Sequence, residues 1–283
     1  MKFSRLGDPG AEVPIVHYEG RALDLRPITA DIDARFLASD PVTAVHDAVS
    51  RNQLRDLEDA HHLRVGAPIA RPGKLVCVGL NYAAHARETG TEIPAEPVVF
   101  LKGTDTIVGP YDDVLIPRGS VKTDWEVELG VVIGRTARYL DEADDPLECV
   151  AGYVVSHDVS EREFQLERGG QWSKGKSCET FNPLGPWLVS ADEVVDPQAL
   201  RLSLSVNGRT RQNSSTDDMI FTVAEIIRYL SQFMVLHPGD LINTGTPAGV
   251  ALGIEGNPYL RAGDVVELAI DGLGSARHSM VQA

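Results

Sequence analysis

The sequence has little cysteine and no long apolar run. Its three cysteines, Cys77, Cys149 and Cys178, are widely spaced, so neither a CxxC redox pair nor a cysteine-based zinc site is expected. No stretch reaches the roughly 18 apolar residues that a membrane span requires, and the first residues contain no apolar signal region. These absences predict a protein of a reducing compartment, and we expect a cytoplasmic location.

Positive charge is also scarce. The chain has 26 lysines and arginines against 41 aspartates and glutamates, a formal net charge of −15. Nucleic acids and anionic membranes are bound through clustered positive charge, so neither is expected as a partner. An anionic substrate would therefore need a local positive centre, which a metal ion or a few well-placed cations would supply.

The first part of the chain predicts a small domain. Two short strands are expected at Lys2–Leu6 and Ile15–Tyr18, each followed by turn residues. A helix follows, with Asp40-Pro41 at its N-cap and first position. We therefore divide the chain into a small N-terminal α/β domain, residues 1–70, and a larger domain, residues 71–283.

The larger domain has many short apolar runs and few helical patterns. Runs such as Val127–Ile133 alternate with Gly, Pro and Asp turns, which favours an α+β, mainly β architecture over a doubly wound sheet. Two capping boxes predict helix starts, one formed by Ser160 with Glu163 and one by Thr222 with Glu225.

Three acidic residues are candidates for a cation site. Glu126 and Glu128 share one face of a predicted strand because side chains alternate, and such close carboxylates repel one another unless they share a cation. Asp158 ends a second apolar strand and would complete an all-oxygen set of the kind that suits Mg²⁺, Mn²⁺ or Ca²⁺. A solvated acidic strand face would explain the two glutamates alone, and a turn residue would explain the aspartate alone, but the three acids together favour the cation site.

Two residue pairs share predicted helix faces. His85 and Glu88 lie three residues apart, and a carboxylate that orients an imidazole makes it a better general base. An exposed His–Glu pair is equally consistent with the sequence. Arg162 and Gln165 have the same spacing, and they would either contact an anion bound near Asp158 or form an ordinary polar surface.

Two loops add further polar candidates. Gln171–Cys178 carries Lys174 and Lys176, either of which could stabilise a developing oxyanion. We interpret Cys178 as structural, because no histidine signature accompanies it. Asn243–Val250 offers hydroxyls and amides that suit a carboxylate, and it lacks the pattern of a phosphate-binding P-loop.

Five motifs, taken in this order, resemble the fumarylacetoacetate hydrolase superfamily. They are G-x-N-Y-x-x-H-x-x-E at Gly79–Glu88, E-x-E-L-G at Glu126–Gly130, H-D-x-[ST]-x-R at His157–Arg162, the lysine Lys176 after a glycine, and G-T-P-x-G-V at Gly245–Val250. The resemblance extends over about Lys74–Ala269. The N-terminal segment and the G-G-Q-W stretch are similar to a bacterial branch of acylpyruvate and diketo-sugar-acid hydrolases.

The resemblance implies a mixed β-roll catalytic fold, a homodimer, and a Mg²⁺ or Mn²⁺ ion, with Ca²⁺ as an alternative in a crystal. The implied metal ligands are Glu126, Glu128 and Asp158. The implied catalytic residues are His85, Glu88 and Lys176, the last preferred to Lys174. The implied substrate-binding residues are Arg162, Gln165 and Thr246. Asp124 is the nearest candidate for a fourth acidic ligand.

The implied activity is a metal-dependent hydrolysis that cleaves a C–C bond in a 2,4-dioxo acid, either an acylpyruvate or a diketo-deoxy sugar acid. His85, held by Glu88, would activate water, Lys176 would stabilise the oxyanion, and the metal would stabilise the enolate that leaves. Decarboxylation of oxaloacetate and hydration or isomerisation of unsaturated 2-oxo acids need the same metal site and are alternatives. A non-catalytic, metal-stabilised binding protein is the alternative from another class.

Overall fold

Strands dominate the computed structural model, which describes all residues from Met1 to Ala283. The first eight strands are β1 (Lys2–Leu6), β2 (Val13–Tyr18), β3 (Arg21–Asp24), β4 (Arg55–Asp56), β5 (Leu75–Gly79), β6 (Val98–Lys102), β7 (Ile107–Val108) and β8 (Val114–Ile116). The next six are β9 (Thr123–Asp124), β10 (Val127–Ile133), β11 (Val150–His157), β12 (Ser160–Glu161), β13 (Asn182–Pro183) and β14 (Leu188–Ser190). The last five are β15 (Arg201–Val206), β16 (Arg209–Ser215), β17 (Leu241–Asn243), β18 (Val265–Ile270) and β19 (Gly274–Gln282).

Five short α-helices connect the strands. They are α1 (Ala34–Leu37), α2 (Pro41–Ser50), α3 (Ala83–Glu88), α4 (Ser173–Lys176) and α5 (Val223–Ser231). None of them combines the length and the apolar character that a bilayer-crossing helix needs. The predicted mainly β, α+β class is therefore confirmed.

Ten strands form one sheet in the order β4-β3-β2-β1-β14-β11-β10-β17-β5-β6. All neighbours in it are antiparallel except β17 and β5, which run parallel. A second sheet of five strands has the order β16-β15-β18-β19-β8, and two small ladders pair β12 with β9 and β13 with β7.

Both faces of the ten-stranded sheet are buried. Val131 of β10 packs into a core that includes α5 and the five-stranded sheet, whereas its neighbour Val132 packs into a second core with α1 and α2. Val155 and Val154 of β11 divide in the same way. Because side chains alternate along a strand, a strand that is covered on both faces is apolar along most of its length. This explains the apolar run at Val127–Ile133.

The N-terminal strands extend the main sheet. Lys2 of β1 is opposite Val189 of β14, and Phe3 shares the second core with Leu75 and Leu188. The N-terminal segment and the rest of the chain therefore share a sheet and a core. The division of the chain at residue 70 stays a prediction.

The capping box at the start of α5 is confirmed. Glu225 N donates to Thr222 Oγ1 at 3.2 Å, and Thr222 N donates to Glu225 Oε2 at 2.7 Å. Val223–Ser231 therefore begins where the pattern predicts, with its apolar face in the core.

The second predicted capping box is wrong. Ser160 lies in β12, opposite Asp124 of β9, and its Oγ donates to the carbonyl oxygen of Asp158 at 3.1 Å. The chain turns into a single π-helical segment only at Glu163–Glu167. The S-x-x-E pattern fails here because the backbone of Ser160 pairs with a distant strand, which a local pattern does not reveal.

Candidate active site

Two neighbouring strands bring the three candidate metal-binding carboxylates together. Glu126 immediately precedes β10, and Glu128 lies within it. Val127 is opposite His157 of β11, so the next residue, Asp158, lies beside Glu126 and donates its N–H to the Glu126 carbonyl oxygen at 3.0 Å. One oxygen of each of the three buried carboxylates lies within 4.8 Å of the others. Strand pairing alone therefore assembles the acidic cluster.

Two of the predicted cationic residues pair with this cluster. Lys176 Nζ donates to Glu126 Oε2 at 2.7 Å and to Asp158 Oδ2 at 2.8 Å. Arg162 Nη2 lies 2.7 Å from Glu126 Oε1. Burial alone would raise the pKa of Glu126, but the positive charges of Lys176 and Arg162 outweigh it and hold that pKa well below its usual range. Glu126 is therefore ionised.

A third cation, Lys102, is the site residue that the sequence pattern did not indicate. It is the last residue of β6, and its side chain is completely buried. Its ammonium group pairs with Asp158 Oδ1 and donates to the Phe181 carbonyl oxygen at 2.7 Å. Its partner Asp158 is 56 residues away in sequence. No local signal separates this lysine from an ordinary charged residue at a strand end.

Glu128 is the carboxylate with the least compensated charge. The Gly245 N–H donates to its Oε2 at 2.8 Å, but no cationic side chain forms an ion pair with it. Burial, together with the negative charges of Asp158 and Glu126, raises its pKa well above the usual range. A cation bound between these three groups would remove this repulsion. Carboxylate oxygens are the ligands that hard divalent ions such as Mg²⁺ and Mn²⁺ prefer, so the three residues fit such an ion.

Asp124 is not a fourth member of the cluster. Its Oδ1 accepts a hydrogen bond from Ala251 N at 2.7 Å, and its Oδ2 accepts from Leu252 N at 3.0 Å and from Arg162 Nε at 2.8 Å. Asp124 lies outside the group of three close carboxylates, so the structure does not bring it to the position expected of a fourth ligand. Asp124 instead holds the loop after β17 and orients Arg162.

The predicted His–Glu pair forms on helix α3. His85 Nδ1 lies 3.4 Å from Glu88 Oε2, and the N–H of Gly249 fixes Glu88 by donating to its two oxygens at 2.9 and 3.0 Å. This contact leaves Nε2 as the imidazole nitrogen available to a water molecule. The distance is longer than that of a strong hydrogen bond, as is common in active sites before substrate binds.

Gln165 and Thr246 differ in how free their polar groups are. Gln165 Oε1 accepts from Arg162 Nη1 at 2.9 Å, which leaves the amide nitrogen of Gln165 to a ligand. Thr246 Oγ1 donates to the Val127 carbonyl oxygen at 2.9 Å and accepts from Gln212 Nε2 at 2.8 Å. The Thr246 hydroxyl would therefore have to release Val127 before it could donate to a substrate carboxylate.

Eight of the nine predicted site residues line a single cavity of about 190 Å³. They are His85, Glu126, Glu128, Asp158, Arg162, Gln165, Lys176 and Thr246. The ninth, Glu88, contacts His85 from outside the lining. Lys174 is exposed and donates to the Arg168 carbonyl oxygen, so Lys176 is the lysine of this loop that reaches the cavity. Burial raises the pKa of Cys178 to about 11, which disfavours a nucleophilic thiolate.

A model of the family "Fumarylacetoacetate (FAA) hydrolase C-terminal" matches residues 74–281. The chain belongs to the fumarylacetoacetate hydrolase family. A relative from Burkholderia multivorans (strain ATCC 17616 / 249), which is named as a hydrolase, is 52% identical over 285 residues and covers 97% of this chain and 96% of its own.

Solved structures of this family share the fold along the whole chain. Fumarylacetoacetate hydrolase from Exiguobacterium antarcticum is 34% identical, with a TM-score of 0.86 and 100% of both chains covered. A 5-carboxymethyl-2-hydroxymuconate delta-isomerase from Mycobacterium smegmatis is 31% identical, with a TM-score of 0.77 and coverage of 100% and 99%. Maleylpyruvate hydrolase from Sphingobium sp. SYK-6, solved with manganese(II) and pyruvate, is 26% identical, with a TM-score of 0.81 and 100% of both chains covered. The protein is therefore similar to both hydrolases and isomerases of the family.

Proposed function

We propose that this protein is a metal-dependent hydrolase that cleaves a C–C bond in a 2,4-dioxo acid, either an acylpyruvate or a diketo-deoxy sugar acid. The observation that carries the proposal is the buried cluster of Glu126, Glu128 and Asp158, which shares one cavity with His85 and Lys176. The manganese and pyruvate bound by the related maleylpyruvate hydrolase support it, because pyruvate is the 2-oxo acid that cleavage of an acylpyruvate releases.

Glu126, Glu128 and Asp158 would hold Mg²⁺ or Mn²⁺. Such an ion supplies positive charge beside the carboxylate and 2-oxo oxygens of the substrate. Glu128 is the ligand whose charge state changes most on metal binding, because no protein cation compensates it. The free amide nitrogen of Gln165 and the guanidinium of Arg162 would orient the substrate's remaining oxygens.

The chain's own residues would move the protons. His85 Nε2 takes a proton from a water molecule, while Glu88 fixes the ring through Nδ1. The resulting hydroxide adds to the C4 carbonyl, and the Lys176 ammonium donates a hydrogen bond to the oxygen that becomes negative. The C3–C4 bond then breaks, its electron pair passes to C3, and a proton from the His85 imidazolium completes pyruvate. The other product is the carboxylic acid derived from C4.

A substrate panel tests this proposal directly. Metal-free protein is assayed with acylpyruvates, diketo sugar acids and oxaloacetate, with added Mg²⁺ or Mn²⁺ and with a chelator. We expect metal-dependent release of pyruvate and one equivalent of carboxylic acid from a dioxo acid. Release of CO₂ from oxaloacetate with a higher kcat/KM than any dioxo-acid cleavage would contradict hydrolysis as the main activity.

Isomerisation or hydration of an unsaturated 2-oxo acid is the second candidate function. The similarity to a delta-isomerase supports it, because such a reaction would use the same cluster and the same cavity. The His85–Glu88 pair favours hydrolysis, since a held imidazole is suited to activating water. Double-bond migration without release of pyruvate would identify the isomerase.

Two further parts of the proposal concern the protein as a whole. A purely structural metal site predicts that a chelator unfolds the protein, whereas the proposed enzyme loses activity and keeps its circular dichroism spectrum. We also propose a homodimer in the cytoplasm, and light scattering on the purified protein tests the dimer.

A further inference from the structure

The cavity has an uncharged portion that the proposed chemistry does not use. Apart from the acidic cluster, Arg162, Lys176 and His85, no charged side chain lines it. Its apolar wall consists of Val78, Leu80, Phe100, Leu166, Trp172 and Leu252. This wall is where the part of a substrate beyond C4 would lie, once the carboxylate and 2-oxo oxygens are at the acidic cluster.

The aromatic part of the wall starts next to the catalytic lysine. The Lys176 ammonium lies 5.3 Å from the centroid of the Phe100 ring, and Trp172 packs edge-on against Phe100 with their centroids 5.5 Å apart. Trp172 also packs closely on Gly79, where an added Cβ would lie 2.4 Å from the indole ring. A substituent on C4 would therefore pass directly from Lys176 onto a rigid apolar surface.

At this wall no cation is available to the second carboxylate of a substrate diacid, the one at the end beyond C4. Arg162 and Lys176 are paired with carboxylates at 2.7–2.8 Å. In the proposed reaction their remaining capacity goes to the oxygens of the dioxo acid group itself. Lys174 and Arg168, two other cations near the cavity in sequence, do not line it. Lys174 donates to the Arg168 carbonyl oxygen, and the Arg168 guanidinium pairs with Glu163 at 2.8 Å. A terminal carboxylate in the cavity would lose its hydration and gain no ion pair.

Neutral hydroxyls are available instead. Thr89 and Thr91 also line the cavity, and their Oγ1 atoms lie 3.3 Å apart. Thr89 Oγ1 lies 3.0 Å from the His85 carbonyl oxygen, to which it donates, so the Thr91 hydroxyl is the one free to bind a ligand. A substrate hydroxyl could exchange hydrogen bonds here, whereas a carboxylate would gain too few donors to offset its desolvation.

We propose that this wall selects dioxo acids whose substituent on C4 is uncharged, alkyl or hydroxyalkyl, and that it rejects diacids. This inference rests on the proposed function.

A matched pair of substrates tests the selection. In 2,4-dioxoheptanedioate a carboxylate replaces the terminal methyl group of 2,4-dioxoheptanoate, and the two have the same number of carbon atoms. With the Mn²⁺-loaded protein we expect kcat/KM to be at least about 100-fold higher for the monoacid, because the diacid buries an unpaired charge. Equal or faster cleavage of the diacid would overturn the inference while leaving the proposed hydrolysis intact.

Calorimetric binding of the same two acids separates this inference from the proposed function. Tighter binding of the monoacid without any cleavage would overturn the hydrolase proposal and support the selection. Equal or tighter binding of the diacid would overturn the selection whether or not either acid is cleaved.

A charge placed on the wall should reverse the preference. Leu166 is 43% exposed, so Leu166→Arg places a guanidinium at the rim without burying it. We expect the diacid-to-monoacid ratio of kcat/KM to rise by about 10-fold or more, the effect of one charged hydrogen bond. Leu166→Gln is the uncharged control for this ratio, and Val195→Arg, at a fully exposed position outside the cavity, is the control for added charge alone. An unchanged ratio in a folded Leu166→Arg protein would contradict the proposed path of the C4 substituent.

Discussion

Replacement of Lys176 by methionine tests the site at its centre. The lysine side chain is 2% exposed, and its ammonium contacts Glu126 and Asp158 at 2.7 and 2.8 Å. Methionine keeps much of the side-chain volume and removes only the charge. Lys176→Met therefore separates the electrostatic role of the ammonium from its packing.

The variant should lose both turnover and metal-free stability. Loss of one donor to a developing oxyanion typically lowers kcat by about 10²–10³-fold. Breaking a buried ion pair costs about 3–5 kcal/mol of unfolding free energy, and we expect the lower end because Lys102 and Arg162 still compensate part of the charge. Added Mn²⁺ supplies positive charge at the same carboxylates, so it should stabilise Lys176→Met more than the parent protein.

The measurements are steady-state kinetics on a dioxo acid and urea unfolding with and without Mn²⁺. Lys174→Met is the matched control, because Lys174 lies two residues earlier in the same loop and is exposed. We expect the control to behave like the parent. A kcat within about threefold of the parent for Lys176→Met would refute its role at the oxyanion. Unchanged metal-free stability would refute the two buried contacts.

Three further predictions follow from the site and its surroundings. Glu128→Gln should weaken Mn²⁺ binding at least roughly 100-fold by calorimetry, because it removes a ligand. Metal-free stability should not fall, because the raised pKa of Glu128 already favours a neutral group at this position; unchanged affinity would exclude Glu128 as a ligand. Gly175→Ala should lower the unfolding free energy by about 1–3 kcal/mol, because the Cβ of the new alanine would lie 2.3 Å from the Glu161 carbonyl oxygen. Urea unfolding like that of the parent protein would contradict this close approach. Burial lowers the pKa of His278 to about 4, so between pH 6.5 and pH 4 the unfolded chain binds a proton at this residue that the folded chain does not. His278 should therefore contribute about 3 kcal/mol to the fall in metal-free stability over this range. The stacked His157, whose pKa burial also lowers, adds to the fall; an equally steep fall in His278→Leu would show that His278 does not contribute.

Local patterns in the sequence predicted several parts of the structure correctly. Strand alternation placed Glu126 and Glu128 on one face, and the capping box at Thr222 marked the start of α5. The i, i+3 spacing of His85 and Glu88 predicted their contact. These features succeeded because each depends on the backbone geometry of a few consecutive residues, which strand and helix periodicities set directly.

Other features depend on partners that are distant in sequence. Lys102 gave no signal, because its charge is compensated by Asp158, which follows the end of β11. Strand alternation places Asp124 on the same face as the candidate metal-binding glutamates. Its carboxylate oxygens instead accept hydrogen bonds from the amides of Ala251 and Leu252, which are 127 and 128 residues away. A helix cap at Ser160 was the natural local interpretation, yet that residue pairs with β9.

The sequence by itself thus indicated the class of fold, the family and a set of candidate site residues, eight of which line one cavity, because periodicity and motif spacing are properties of short segments. Only the tertiary structure decided which of Lys174 and Lys176 reaches the carboxylates, which acid stays uncompensated, and which wall the far end of a substrate would meet. The physical reason is that ion pairing and desolvation depend on distances through space, and pairing of the central strands sets those distances.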